Sequence, residues 1–369
     1  MTDRYESVLW QRLAGEGLVK GEEPALLEDS APWSVRTMLG IAGWIGALFL
    51  LAAVFSGFTI ILDSSLAAGI LGAIACIISV VIYRSIKGND FMAQFGFAVS
   101  LAGQSLLAFS FLQGLELFEG GEEFIGQVRL LAAMLVVLQA LLFLLIPNFL
   151  HRIWSGVIGI AAATFLMIQF GLYPFTACIL LATAAYVWLQ EFAWAKYNSL
   201  VQALGYSLVF VCFAHLVTDN HVLGFSQFWR ETFGVQPLGG STGFMVSAAL
   251  LGLVLLSVVW VLLKRSQLRW SSSKGLSALL LALLIAVIGI RTPGIPIALV
   301  FVLLGYAHGN KVLTGMGLIT LLVFVSQFYY QLNLTLLYKS IVLFVSGLAL
   351  LAVRQLMHIC WPRTGAAHA

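Results

Sequence analysis

The chain is poor in charge and poorest in acid. Only 9% of its 369 residues are Asp, Glu, Lys or Arg, against 61% hydrophobic ones, and the mean hydropathy is +1.00. A soluble chain of this length could not cover its core with so little polar surface, so a membrane protein is expected. No Asp or Glu follows Glu231, and Asp63, Asp90, Glu116, Glu191, Asp219 and Glu231 fall at the ends of apolar runs or between them. A carboxylate relay through the middle of the membrane therefore has no residues to carry it.

Cysteine is scarce too. Cys76, Cys178, Cys212 and Cys360 are scattered without C-x-x-C spacing. That excludes a disulfide framework or a zinc cluster and leaves packing as their role. H-E-x-x-H, G-x-S-x-G and G-x-x-x-x-G-K-[ST] are all missing, and His151, His215, His221 and His308 are not spaced as a metal pair on one helix. No enzymatic activity, cofactor or metal site is expected. Without a dense basic run, nucleic-acid binding is not expected either. The start of the chain carries Asp3 and Glu6 instead of a cationic region, so no cleaved signal peptide is expected.

What the chain has in abundance is long apolar runs, most close to the roughly 20 residues a helix needs to cross a bilayer. About twelve spans are expected, near 38–62, 64–83, 91–113, 128–147, 150–170, 172–190, 199–217, 243–263, 276–290, 294–308, 312–330 and 333–353. Stretches such as VRLLAAMLVVLQALLFLLIP are apolar throughout, without the alternation of barrel strands. The expected fold class is therefore all-α, a polytopic integral membrane helical bundle. Residues 1–36 read as a cytoplasmic helical hairpin or leader, 37–355 as the transmembrane domain and 356–369 as a cytoplasmic tail. With alternating sides, fifteen of the nineteen Lys and Arg lie on the side of the termini. Only Arg129, Arg230, Arg291 and Lys339 lie on the other, which makes both termini cytoplasmic.

Those sparse outer cations mark the first candidate site. Arg291 stands just before the break at Pro293, and Pro296 suits the first turn of a new helix, whose N-terminus would favour an anion. Lys339 comes about six residues into the last span, on a stripe with Thr335, Val342 and Ser346. Arg291, Lys339 and Ser340 are thus candidates for holding an anion or a lipid headgroup, and a plain hairpin with snorkelling cations is the alternative. A second candidate is a partner-contact surface. In FSQFWRETF the aromatic residues recur at helical spacing, which suits either an interfacial anchor or a docking face formed by Phe228, Trp229 and Arg230. Trp10 would serve the same purpose in the leader. Glu116, Glu119, Glu122 and Glu123 form an acidic outer loop, solvated or able to meet a cation or a basic partner. Gln104, Gln139, Gln202 and His215 are expected to hydrogen-bond neighbouring helices.

The stretch RTPGIPIALVFVLLGYAHGNKVLTGMGLITLLVFVSQFYYQLNLTLLYKSIVLF resembles the bacterial multi-pass family named for domain of unknown function 4401. The matching elements are Arg291 with Pro293 and Gly294, Gly309 with Asn310, Gly315 and Gly317, Tyr329 with Tyr330, Leu336 with Leu337, and Lys339 with Ser340. The resemblance implies a place in the bacterial inner membrane. It also implies neighbours as partners besides the lipid bilayer: a second multi-pass membrane protein and a membrane-anchored periplasmic protein named for a GDYxxLxY motif. It implies no activity and carries over no catalytic residue. Two functions stay open, a non-catalytic subunit or scaffold of an envelope membrane complex, and a transporter or lipid-handling protein that binds an anionic group on the outer side.

Overall fold

The computed structural model describes residues 64–85, 89–114, 124–218, 238–267 and 272–331, with single positions elsewhere, chiefly within 10–17, 35–52 and 337–355. Every regular element among the described residues is helical, in agreement with the expected class. The helices are α1 (Ser65–Ser85), α2 (Asp90–Gly114), α3 (Phe124–Leu145), α4 (Phe149–Gln169), α5 (Thr176–Leu189), α6 (Asn198–Thr218), α7 (Gly240–Arg265), α8 (Ser273–Gly289), α9 (Gly294–Ala307) and α10 (Lys311–Gln331). Six spans, Ser65–Ser85, Asp90–Gly114, Phe124–Leu145, Phe149–Gln169, Ala195–Thr218 and Gly240–Arg265, are long and apolar enough to cross a membrane. Four more, Tyr173–Leu189, Lys274–Gly289, Gly294–Ala307 and Lys311–Gln327, are apolar but shorter.

The chain divides into two compact units, residues 1–107 and 108–369. In the first, α1 meets α2 through small residues. A Cβ on Gly72 would stand 2.8 Å from the Gly103 carbonyl oxygen, and one on Gly103 would stand 2.8 Å from the Cys76 sulfur. Glycines at these two positions let the backbones touch, which replaces the hydrophobic drive that membrane helices lack. Polar side chains then tie the pair together. Ser79 Oγ donates to the Gly96 carbonyl at 2.8 Å and Tyr83 Oη to that of Ala93 at 2.6 Å. Trp44 Nε1 donates to Gln94 Oε1 at 3.0 Å.

The second unit is a set of helices that alternate in direction along the chain, with α3 on α4, α4 and α5 on α6, α7 on α5, α8 and α9, and α9 on α10. Its core holds Trp188, Leu181, Leu255, Ile297, Phe301, Leu304 and Leu313, all essentially inaccessible. Local signals fix the helix starts. Asn148 Oδ1 accepts the His151 N–H at 3.0 Å, Ser272 Oγ that of Gly275 at 3.1 Å and Asn310 Oδ1 that of Leu313 at 3.0 Å. Gly309, at φ +65°, closes α9, and the Asn310 N–H returns to the Gly305 carbonyl at 2.8 Å. Helix α9 is apolar on every side and accordingly sits in the core. Its fourteen residues rise about 21 Å, short of the roughly 30 Å of hydrocarbon and well short of the twenty-six-residue α7 beside it.

Candidate functional site

The shortness of α9 opens space. Where α5, α7 and α9 finish and α8 begins, a partly open cleft of about 720 Å³ remains. That volume falls inside the range of small-molecule sites, roughly 300–1,000 Å³. Leu189, Val259, Leu262, Leu263 and Leu303 make the apolar wall, while Arg265, Ser266, Tyr306 and His308 bring polar atoms to the same cleft. Ala193, Ala278 and Ala307 keep it wide, since any larger side chain there would project into the space.

Helix ends supply the polar groups. Arg265 closes α7 and donates Nη2 to the carbonyl of Leu189, the last residue of α5. A cation at a helix C-terminus offsets the partial negative charge of its unpaired carbonyls. One contact uses one of the five guanidinium donors, so the rest of the fork can face a ligand.

His308 follows α9 directly. Its Nδ1 lies 2.8 Å from the Leu304 carbonyl, which can only accept, so Nδ1 carries the proton. Nε2 is then the free nitrogen, buried and without a partner. The ring stacks on Phe192 at 5.4 Å and 11°.

Behind the cleft runs an aromatic chain drawn from separate elements. Trp188, 1% exposed, meets Tyr206 edge-on at 5.1 Å and His308 at 6.4 Å. Phe149 meets Tyr206 from the far side at 6.2 Å. Tyr206 Oη accepts from Asn310 Nδ2 at 2.7 Å, which ties α6 to the α9–α10 turn. The indole Nε1 of Trp188 is buried and unpartnered, pressed towards Gly205, where a Cβ would stand 2.9 Å from it. Glu191, 9% exposed, takes the Gln202 amide at 2.8 Å.

The alternating order also gathers charge. Arg152, Lys196, Lys264, Arg265, Lys274 and Lys311 all lie at the cleft end of the second unit. Among its described Lys and Arg, only Arg129 and Arg291 lie at the other. Arg152 is engaged with the Ser199 hydroxyl at 3.0 Å and the Phe143 carbonyl at 3.3 Å.

The residues singled out in the sequence are placed as follows. Arg291 is exposed in the turn between α8 and α9, and its N–H bonds the Ile288 carbonyl at 3.1 Å. Gly294, at the start of α9, is buried against the Phe324 ring. Ser340 is exposed, its hydroxyl turned back to the Leu337 carbonyl at 2.7 Å. Lys339, Phe228, Trp229, Arg230 and the acidic loop of Glu116, Glu119, Glu122 and Glu123 lie outside the described residues. Trp10 is a half-buried helical residue. Gln104 bonds Ser100 on its own helix at 2.9 Å, and His215 meets Thr176 of another helix at 2.6 Å. The cleft itself was not among the expected sites. Its visible traces are the Lys264–Arg265 pair at the end of one apolar run and His308 at the end of another, and sequence order does not bring them together.

The family model described as a domain of unknown function (DUF4401) matches residues 32–359. No curated protein and no solved structure matches the chain.

Proposed function

We propose, for a chain that belongs to the DUF4401 family of unknown function and is built as a membrane protein, that it works by holding an amphiphile with an anionic head in the cleft between α5, α7 and α9. The observation that carries this reading is one space with an apolar wall and a guanidinium and an imidazole at its polar side. An acyl chain gains little by leaving one hydrocarbon environment for another, so the wall supplies fit and the polar groups supply selectivity. The reading is of a binding protein.

Of the two functions left open by the sequence, the cleft favours lipid handling over a purely scaffolding subunit, and it moves the anionic group away from Arg291 and Lys339. With the positive-inside distribution, the cleft end faces the cytoplasm, the termini share that side, and about twelve spans cross the bacterial inner membrane. The neighbouring membrane proteins implied by the resemblance would then deliver or receive the amphiphile.

The test is native mass spectrometry of the full chain released from mild detergent. Wild-type protein should carry a retained anionic lipid, and Ala278→Trp, which fills the cleft, should carry none. A wild type that arrives bare, or an Ala278→Trp variant that keeps its lipid, would sink the reading.

A further inference from the structure

At the opposite end of the second unit, buried polar groups are not satisfied. Four buried side-chain atoms without a hydrogen-bond partner belong to Arg129, Gln169 and Tyr173. Gln169, the last residue of α4, is 6% exposed, and both its amide nitrogen and its amide oxygen lack partners. Arg129 of α3 reaches the Gln169 carbonyl through Nη2 at 3.4 Å, while its Nε is buried and unpaired. The guanidinium carbon lies 5.8 Å from the centre of the Phe170 ring, which is 69% exposed. Tyr173, four residues after Gln169, is wedged edge-on between His215 at 6.1 Å and Phe244 at 6.0 Å, with its hydroxyl unpaired.

Buried donors and acceptors are normally paired, and orphaned ones in hydrocarbon surroundings are costly. The orphans here have a definite chemistry. Arg129 Nε, the Gln169 amide nitrogen and the Tyr173 hydroxyl can donate, whereas the Gln169 amide oxygen can only accept. A ligand answering them needs acceptor oxygens, best an anion for the guanidinium, next to a hydroxyl for the amide oxygen. We infer that Arg129 and Gln169 form a second site, for a phosphate ester carrying an adjacent hydroxyl. A phosphoglycerol lipid headgroup and a free polyol phosphate share that chemistry. The exposed Phe170 would let an acyl chain lie along the outside of the corner while the head is held within.

The site is independent of the cleft, so it is tested in an Arg265→Gln background. Full-length protein is placed in phosphatidylcholine nanodiscs, with and without phosphatidylglycerol, and separately titrated with glycerol 1-phosphate. Melting is followed by tryptophan fluorescence. A rise in melting temperature with phosphatidylglycerol assigns a lipid head, and a rise with glycerol 1-phosphate assigns a soluble ligand. In either case Arg129→Gln and Gln169→Leu should weaken the apparent affinity about tenfold. Arg129→Lys, which keeps charge but not the fork, should recover only part of it. No rise in either arm, or a rise that survives Arg129→Gln and Gln169→Leu, overturns the site and leaves water as the occupant of the corner.

Discussion

The two ends of the second unit are made by the same alternating helices and differ in almost everything else. At one end α5, α7 and α9 finish beside an open cleft, and six cations share that end with Glu191, the one buried acid among the described residues. At the other, α3, α4, α5 and α6 bring together the buried Gln169, Tyr173 and His215 and the half-buried Arg129, whose Nε is buried and unpaired. Helix length accounts for the contrast. A helix that ends early leaves volume where its next turn would have been, and its last carbonyls attract a cation such as Arg265. At the far end the polar groups between the helices are enclosed instead of solvated.

The contrast can be broken most severely at Trp188, which backs the cleft and touches nothing at the far end. Trp188→Ala should cost about 3 to 5 kcal/mol in reversible unfolding in mixed micelles, because it removes the largest fully buried side chain among the described residues. It should also abolish lipid retention in the cleft while leaving the response assigned to Arg129 in the folded fraction. Loss of both together would mean that the two ends are not separate. Next in size is Arg265→Gln, expected to weaken retention of an anionic lipid about tenfold in competition with phosphatidylcholine, with Arg265→Lys in between. An unchanged preference would remove the guanidinium from the account.

Combining Arg265→Gln with Arg129→Gln sharpens the separation. The sites stand at opposite ends of α6, whose twenty-one residues rise about 30 Å, so their effects on stability should add to within about 0.5 kcal/mol. A coupling energy above about 1 kcal/mol would show that one end senses the other. The smallest effect is expected at Arg291→Ala. Its side chain is exposed, and lipid retention and stability should both stay within about 0.5 kcal/mol of wild type. A large loss there would restore the outer anion site first read from the sequence.

Much of the helical layout was legible in the residues themselves. The two expected short spans, 276–290 and 294–308, occur as Ser273–Gly289 and Gly294–Ala307, because Ser272, Pro293 and Gly309 punctuate a run of uniform apolarity. Asn148 and Asn310 cap α4 and α10 through their side chains, a local signal that the reading of spans did not use. The sites were not legible. In a soluble helix the buried face stands out by its apolar stripe, but α9 and α10 are apolar nearly all round, so no periodicity tells a lipid-facing side from a packed one. Trp188, Tyr206, Arg265 and His308 come from four separate segments, and Arg129 reaches Gln169 across forty positions. Such meetings depend on the order in which helices pack, which no local signal encodes. Arg291 and Lys339 stood out because they interrupt apolar runs, a cue that reports local oddity and says nothing about convergence.

The most direct measurement of the central claim is a density map of the full chain in nanodiscs containing phosphatidylglycerol. The account predicts an elongated density along Leu189, Val259 and Leu303 that ends within hydrogen-bond distance of the Arg265 guanidinium. A cleft filled by water alone, or closed by movement of α5 against α9, would contradict it.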